Sequence, residues 1–125
     1  MRKAAYWLGR MVMGGYFLSS GLNHFKHREQ MARYAASKGV PSSDVMVVAT
    51  GAMLVGGGTS LILGVKPSLG ALAVMGFLAG VSPQMHDFWN VQDPMQRQQE
   101  MINFTKNVAL MGAMLSIIGA EREAA

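Results

Sequence analysis

The stretch MHDFWNVQDPMQRQQEMINFTKN, residues 85–107, is the longest polar segment of the chain and organises what surrounds it. Two apolar runs flank or overlap it, residues 67–86 and 100–120. An apolar run of about 20 residues is long enough to cross a bilayer as a helix. We therefore predict that the stretch joins two transmembrane helices at one membrane surface.

The composition of the chain points to a membrane domain. Charged residues make up 14% of the 125 residues and hydrophobic residues 50%, and the charges are missing from whole windows. A soluble globular domain carries roughly 25% charged residues. The chain has no cysteine, which excludes disulfides, thiolate metal sites and thiol catalysis. A net charge of +4 suits anionic lipid headgroups, and the scattered basic residues argue against a nucleic-acid partner.

Two further apolar runs precede the first pair, at residues 4–22 and 44–64. Together the four runs predict an all-α integral membrane protein, a single-domain bundle of four transmembrane helices. Residues 23–43 are polar and basic, with apolar side chains at helical spacing. We expect a short amphipathic surface helix there, between helices one and two.

Small residues four apart indicate how the helices pack. In the second run Ala52, Gly56, Ser60 and Gly64 form such a stripe, which predicts close helix contact in lipid. The adjacent glycines at 56–58 are therefore interpreted as a packing site and not as a phosphate-binding loop.

The four-helix topology predicts a polar cluster at one membrane face. Helices one and three would end at that face, and helix four would start from it. The predicted polar cluster consists of Asn23, His24, Thr50, His86, Asp87, Asn103, Lys106 and Asn107, below Trp89. Arg10 is expected near the opposite face, where it either extends to the headgroups or pairs with Glu121.

Candidate ligand-binding residues within and beside this cluster are His24, His86, Lys106, Asn107 and Trp89. A quinone entering from the lipid needs only hydrogen-bond donors and an aromatic wall, which these side chains offer. Haem and metal are disfavoured, because each helix has one histidine and no third inward ligand is evident, so no metal site is predicted. Alternatively, the histidines cap helix ends, Trp89 belongs to an aromatic belt and Lys106 is merely interfacial. A role in passing solutes across the membrane is the least favoured of the functions considered.

Several short motifs also occur in a characteristic order along nearly the whole chain. They are Gly9-Arg10, Phe17-Leu18-Ser19-Ser20-Gly21-Leu22, Gly39-Val40-Pro41, Gly56-Gly57-Gly58 with Leu63-Gly64, His86-Asp87-Phe88-Trp89, and Phe104-Thr105-Lys106-Asn107 before Gly112. In this order they resemble the DoxX family of small four-helix membrane proteins. The resemblance implies a bundle in the bacterial cytoplasmic membrane with cytoplasmic termini, whereas the charges of the loops leave the orientation open.

The same resemblance carries an expectation about function. Members of the family are linked to quinone-coupled oxidoreductases as membrane subunits, and relatives act as accessory or assembly factors. Many members have a glutamate near the helix-two glycines, where this chain has Met53, Leu54 and Val55. This departure disfavours catalysis by the chain itself. We expect a non-catalytic accessory or structural subunit. Its partners would be the lipid bilayer and either other membrane subunits or further copies of itself. The alternative is an autonomous redox protein that binds quinone in the polar cluster.

Overall fold

The architecture is entirely helical over the residues that the computed structural model describes, 2–124, with side chains described for 3–121. The five α-helices, numbered in chain order, are α1 (Arg2–Lys26), α2 (Arg28–Ser37), α3 (Ser43–Leu63), α4 (Pro67–Met85) and α5 (Pro94–Ala124). A short 3₁₀ turn, Phe88–Asn90, lies between α4 and α5. The predicted all-α class is confirmed.

Three segments of the described chain are long and apolar enough to cross a membrane, Ser43–Leu63, Pro67–Asn90 and Pro94–Glu121. The protein is therefore a helical membrane protein, as the composition predicted. Helix α1 has 25 residues, which is sufficient length. Because of Arg10 and of its tyrosines, serines and glycines, α1 contains no stretch as apolar as those of the other three. A fourth crossing by α1 stays a prediction, as does the surface position of α2.

The last helix begins earlier than the sequence suggested. We placed its start near Glu100, after a loop through residue 99, whereas α5 begins at Pro94. Proline suits the first turn of a helix, where its missing N–H is not needed. The Asp93 carboxylate accepts a hydrogen bond from the backbone N–H of Gln96 at 3.0 Å, which caps the new helix. The connection between α4 and α5 is accordingly only eight residues long, 86–93.

Helices α1 and α3 run antiparallel and touch through glycines. A Cβ atom added to Gly58 would lie 2.7 Å from the carbonyl oxygen of Gly14, and one added to Gly21 would lie 2.8 Å from that of Gly51. Such distances leave no room for a side chain. The two backbones therefore approach as closely as glycine permits, which increases van der Waals contact in lipid.

The adjacent glycines of α3 serve different neighbours. Gly58 faces α1, whereas a Cβ on Gly57 would lie 2.9 Å from the carbonyl oxygen of Gly70 in α4. Gly56 is exposed, with open space where its side chain would be. Successive helical residues point about 100° apart, so three adjacent glycines face three directions. The predicted stripe of Ala52, Gly56, Ser60 and Gly64 is thus not the α1 contact face, since its first two members are exposed.

The apolar core draws on α1, α3, α4 and α5. Its buried members are Phe17, Leu54, Leu61, Ala71, Val74, Leu78, Met114 and Ile117. Helix α3 packs against both α1 and α4, and α5 packs against α4 and also contacts α1. Helix α2 packs on α3 through the buried side chains of Ala32 and Ala35. The C-terminal ends of α2 and α4 and the N-terminal end of α5 meet at one end of the bundle.

Candidate functional site

The end of α4 is joined to α5 by a histidine–glutamate contact. Nδ1 of His86, the residue that caps the end of α4, lies 2.8 Å from Oε2 of Glu100. Glu100 is buried, with 8% of its surface exposed. Because α5 begins at Pro94, Glu100 falls in its second turn and faces α4. One ring nitrogen of His86, a predicted ligand-binding residue, is therefore engaged by Glu100.

A second polar contact ties the end of α2 to the same place. Nζ of Lys38 lies 3.0 Å from Oδ1 of Asp87, and both side chains are about four-fifths buried. The side-chain amide of Gln84 donates to the backbone oxygen of Lys38 at 2.8 Å. The hydrogen bond to Asp87 raises the pKa of the Lys38 ammonium above its usual value. This pairing holds the loop after α2 against the end of α4.

An aromatic group covers this end of the bundle. Phe88, Trp89 and Phe104 meet edge to face, with ring centroids between 5.2 and 5.8 Å apart. Trp89 remains half exposed. A half-exposed tryptophan beside apolar rings is typical of the membrane interface. The contacts also attach the 3₁₀ turn to α5.

His24 belongs to a different, deeper group. It is buried, and its Nδ1 donates to the carbonyl oxygen of Val47 at 3.1 Å, with the Thr50 hydroxyl oxygen at 3.2 Å. Its ring lies against Phe77 at 5.6 Å between centroids. Phe77 precedes His86 by nine residues, which corresponds to about 13 Å along a helix. The two histidines therefore lie at different depths.

The two α5 residues of the predicted site point in different directions. Asn107 is 6% exposed and faces the bundle interior. Lys106 is exposed on the outer surface of α5 and forms no ion pair with a described carboxylate. Neighbouring residues on a helix diverge by about 100°, and here this turns Asn107 inwards and Lys106 outwards. The structure therefore separates the five candidates: His86 and Trp89 lie at the end of the bundle, His24 and Asn107 in its interior, and Lys106 outside.

At the opposite end of α3, Arg10 lies beside the helix terminus. Its guanidinium carbon is 5.2 Å from the centre of the Tyr6 ring, and its Nη2 is 2.8 Å from where a Cβ of Gly64 would be. Gly64 has a φ of +73°, a left-handed conformation that favours glycine. The pairing with Glu121 that we considered does not form among the described side chains.

Four residues that build this region are not among the ligand-binding candidates predicted from the sequence. They are Lys38, Gln84, Glu100 and Phe104. The Asp93–Pro94 pair was an available signal for the helix start, and it would have placed Glu100 in the second turn of α5. The pairing of Lys38 with Asp87 joins residues 49 apart in sequence and has no local signal. No group of three or more acidic or histidine side chains suited to a metal ion occurs in the described part of the chain.

These features define the class of the protein, a multi-pass helical membrane protein with glycine-mediated helix packing. The DoxX family model matches residues 5–87 of the 125, and the chain belongs to the DoxX family, as its motifs indicated. No curated protein and no solved structure matches it. The matched region runs from residue 5 in α1 to just beyond α4 and includes His24 and His86, whereas Trp89, Lys106 and Asn107 lie beyond it.

Proposed function

We propose that this protein is a non-catalytic accessory or structural subunit of a quinone-linked redox complex in the bacterial cytoplasmic membrane, with cytoplasmic termini. The observation that carries a subunit role is a set of exposed glycines. A Cβ added to Gly80, Gly112 or Gly119 would meet nothing within 4 Å, and at Gly76 it would meet only the Met53 methyl group at 3.7 Å.

These glycines are suited to contact with another helix. Gly76 and Gly80 are one turn apart on the exposed side of α4. Within the chain, the buried glycines already mediate backbone contact, and exposed ones allow a partner helix the same approach. Lys106 adds a charge to the outer surface of α5, which a partner carboxylate would neutralise. We therefore place the partner subunit against α4 and α5.

The dispersal of the candidate ligand residues favours this role over the alternative of an autonomous quinone-binding protein. Nδ1 of His24 is engaged by Val47, Nδ1 of His86 contacts Glu100, and Lys106 points outwards. A quinone site needs donors that converge on one ligand. The quinone chemistry of the complex is therefore assigned to a partner, and that assignment rests on the family resemblance.

The experiment compares two glycine variants in native membranes. We expect Gly76→Leu combined with Gly80→Leu to abolish co-purification of a stoichiometric partner that carries quinone-reductase activity. Gly9→Leu is the matched control, since Gly9 also has open space around it but lies on α1. Isolation of the unaltered protein alone, with stoichiometric quinone, would overturn the proposal in favour of the autonomous protein. A complex made only of identical chains would contradict the hetero-subunit role.

A further inference from the structure

An open polar cleft of about 380 Å³ lies at the elbow between α1 and α2, which is the bend at His27. Lys26, Arg28 and Arg33 line it together with a single carboxylate, Glu29. None of the three cationic side chains forms an ion pair with a described carboxylate. The cleft thus has excess positive charge and free hydrogen-bond donors.

A second cleft, of about 690 Å³, adjoins the first. The two share Arg28 and Glu29, and the second continues along α3 past Val45, Val48 and Ala49. Asp44 is its other charged lining residue. A basic cleft and a mainly apolar one therefore meet at Arg28 and Glu29, an arrangement that matches the division of a phospholipid into headgroup and acyl chain.

The position of the clefts relative to the bilayer follows from α3. This helix is one of the three membrane-crossing candidates and begins at Ser43. Arg28 and Glu29 line a cleft together with Asp44 and Val45, so the elbow is level with the first turn of α3. Lipid phosphates lie at the depth where a crossing helix starts. Val48 and Ala49 lie about one turn deeper, on the hydrocarbon side.

We infer that the two clefts together form a binding site for one anionic phospholipid. Lys26, Arg28 and Arg33 bind the phosphate, for which the two guanidinium groups offer paired N–H donors. One acyl chain lies along Val45, Val48 and Ala49. Glu29, which lines both clefts, and Asp44, which lines the apolar one, repel a second negative charge, so the site holds one phosphate and not several. This inference does not depend on the accessory role proposed above.

The test measures binding of short-chain lipids to the full-length protein in neutral detergent by native mass spectrometry. We expect phosphatidylglycerol to bind at least fivefold more tightly than phosphatidylcholine or phosphatidylethanolamine. Arg28→Gln and Arg33→Gln should each weaken phosphatidylglycerol binding by about fivefold, the effect of one basic residue at an anionic membrane surface. The control is Arg97→Gln, which removes an exposed arginine of α5 outside both clefts and should leave binding unchanged.

A third variant separates a lipid from a soluble anion. Ala49→Trp fills the apolar cleft and leaves the basic one intact, so it should weaken binding of phosphatidylglycerol. Inorganic phosphate at equal concentration should not displace the lipid. Equal binding of the three lipids, displacement by inorganic phosphate, or equal loss in Arg97→Gln and Arg28→Gln would each overturn the inference. Circular dichroism in the same detergent verifies that each variant folds. If Arg28→Gln fails to fold, the binding comparison uses Arg33→Gln, which alters an exposed side chain.

Discussion

The Nδ1 atom of His86 lies 2.8 Å from Oε2 of Glu100, and this contact joins the residue that directly follows α4 to the second turn of α5. The pair closes the α4–α5 connection from the inside, while Phe88, Trp89 and Phe104 cover it from the outside. An acidic side chain that is 8% exposed needs its partner, because a buried polar group without one is costly.

The first prediction concerns this pair. His86→Leu leaves the Glu100 carboxylate buried without the imidazole, and we expect it to lower the free energy of unfolding by about 1–3 kcal/mol. Denaturant unfolding in detergent micelles measures the change. The control, His27→Leu, alters an exposed histidine, and its effect should stay within about 0.5 kcal/mol. Equal effects of the two variants would show that the contact with Glu100 contributes nothing.

Adjacent glycines of α3 allow a matched test of helix packing. A Cβ on Gly58 would lie 2.6 Å from the backbone nitrogen of Leu18, so Gly58→Ala should destabilise the bundle by about 1–3 kcal/mol. Gly56→Ala, in open space two residues away, should be neutral or slightly stabilising, because alanine favours the helix by about 1 kcal/mol. Thermal unfolding followed by circular dichroism compares them. A more stable Gly58→Ala protein would contradict the close approach of α1 and α3.

The Lys38–Asp87 pair predicts a loss of stability at alkaline pH. The pKa of Lys38 in the folded protein is raised above the ordinary value of 10.5 by its hydrogen bond to Asp87. Its contribution is therefore complete below pH 10.5 and is lost as the pH rises through the folded-state pKa. Because both side chains retain some exposure, we expect about 1 kcal/mol or less. The measurement is the difference in unfolding free energy between the unaltered protein and Lys38→Met from pH 8 to about pH 12. A constant difference across this range would contradict the prediction.

The absence of cysteine makes single-cysteine labelling a direct test of how α5 is oriented. In the isolated protein in detergent, Lys106→Cys should react quickly with a lipid-soluble maleimide, because residue 106 lies on the outer surface. Asn107→Cys should react at least tenfold more slowly, because residue 107 is 6% exposed. Labelling under denaturing conditions provides the control, since both sites should then react equally. Faster labelling at position 107 would mean that α5 is rotated from the orientation described here.

The same chemistry tests whether α1 is the fourth crossing. Arg10 lies beside Gly64, so the start of α1 and the α3–α4 connection are at the same end of the bundle. If α1 crosses, positions 5 and 66 lie on one side of the membrane and positions 30 and 92 on the other. An impermeant thiol reagent applied to intact cells should then label either Ala5→Cys and Lys66→Cys or Gln30→Cys and Gln92→Cys, but not both pairs. Cells opened by sonication supply the control, in which all four positions are accessible. Different labelling of positions 5 and 66 would rule out this topology.

The sequence by itself determined the class of the protein and most of its helices. The apolar runs at residues 44–64 and 67–86 match α3 and α4 to within one residue at either end, because the length and charge of a membrane segment are local properties of the chain. The family was also recognisable from the order of short motifs, and the match over residues 5–87 confirms it.

Tertiary structure alone decided how these helices face one another. The sequence placed His24 and His86 at one level, yet packing of α1 against α3 sets His24 beside Phe77, about 13 Å from the level of His86. Rotation about each helix axis likewise decided that Gly58, and not Gly56, meets α1, and that Lys106 points outwards. Depth and rotation depend on which partner a helix packs against. For this reason the stretch 85–107 contributes the His86–Glu100 contact at the end of the bundle and one outward-facing lysine, and ligand binding by its residues stays a prediction.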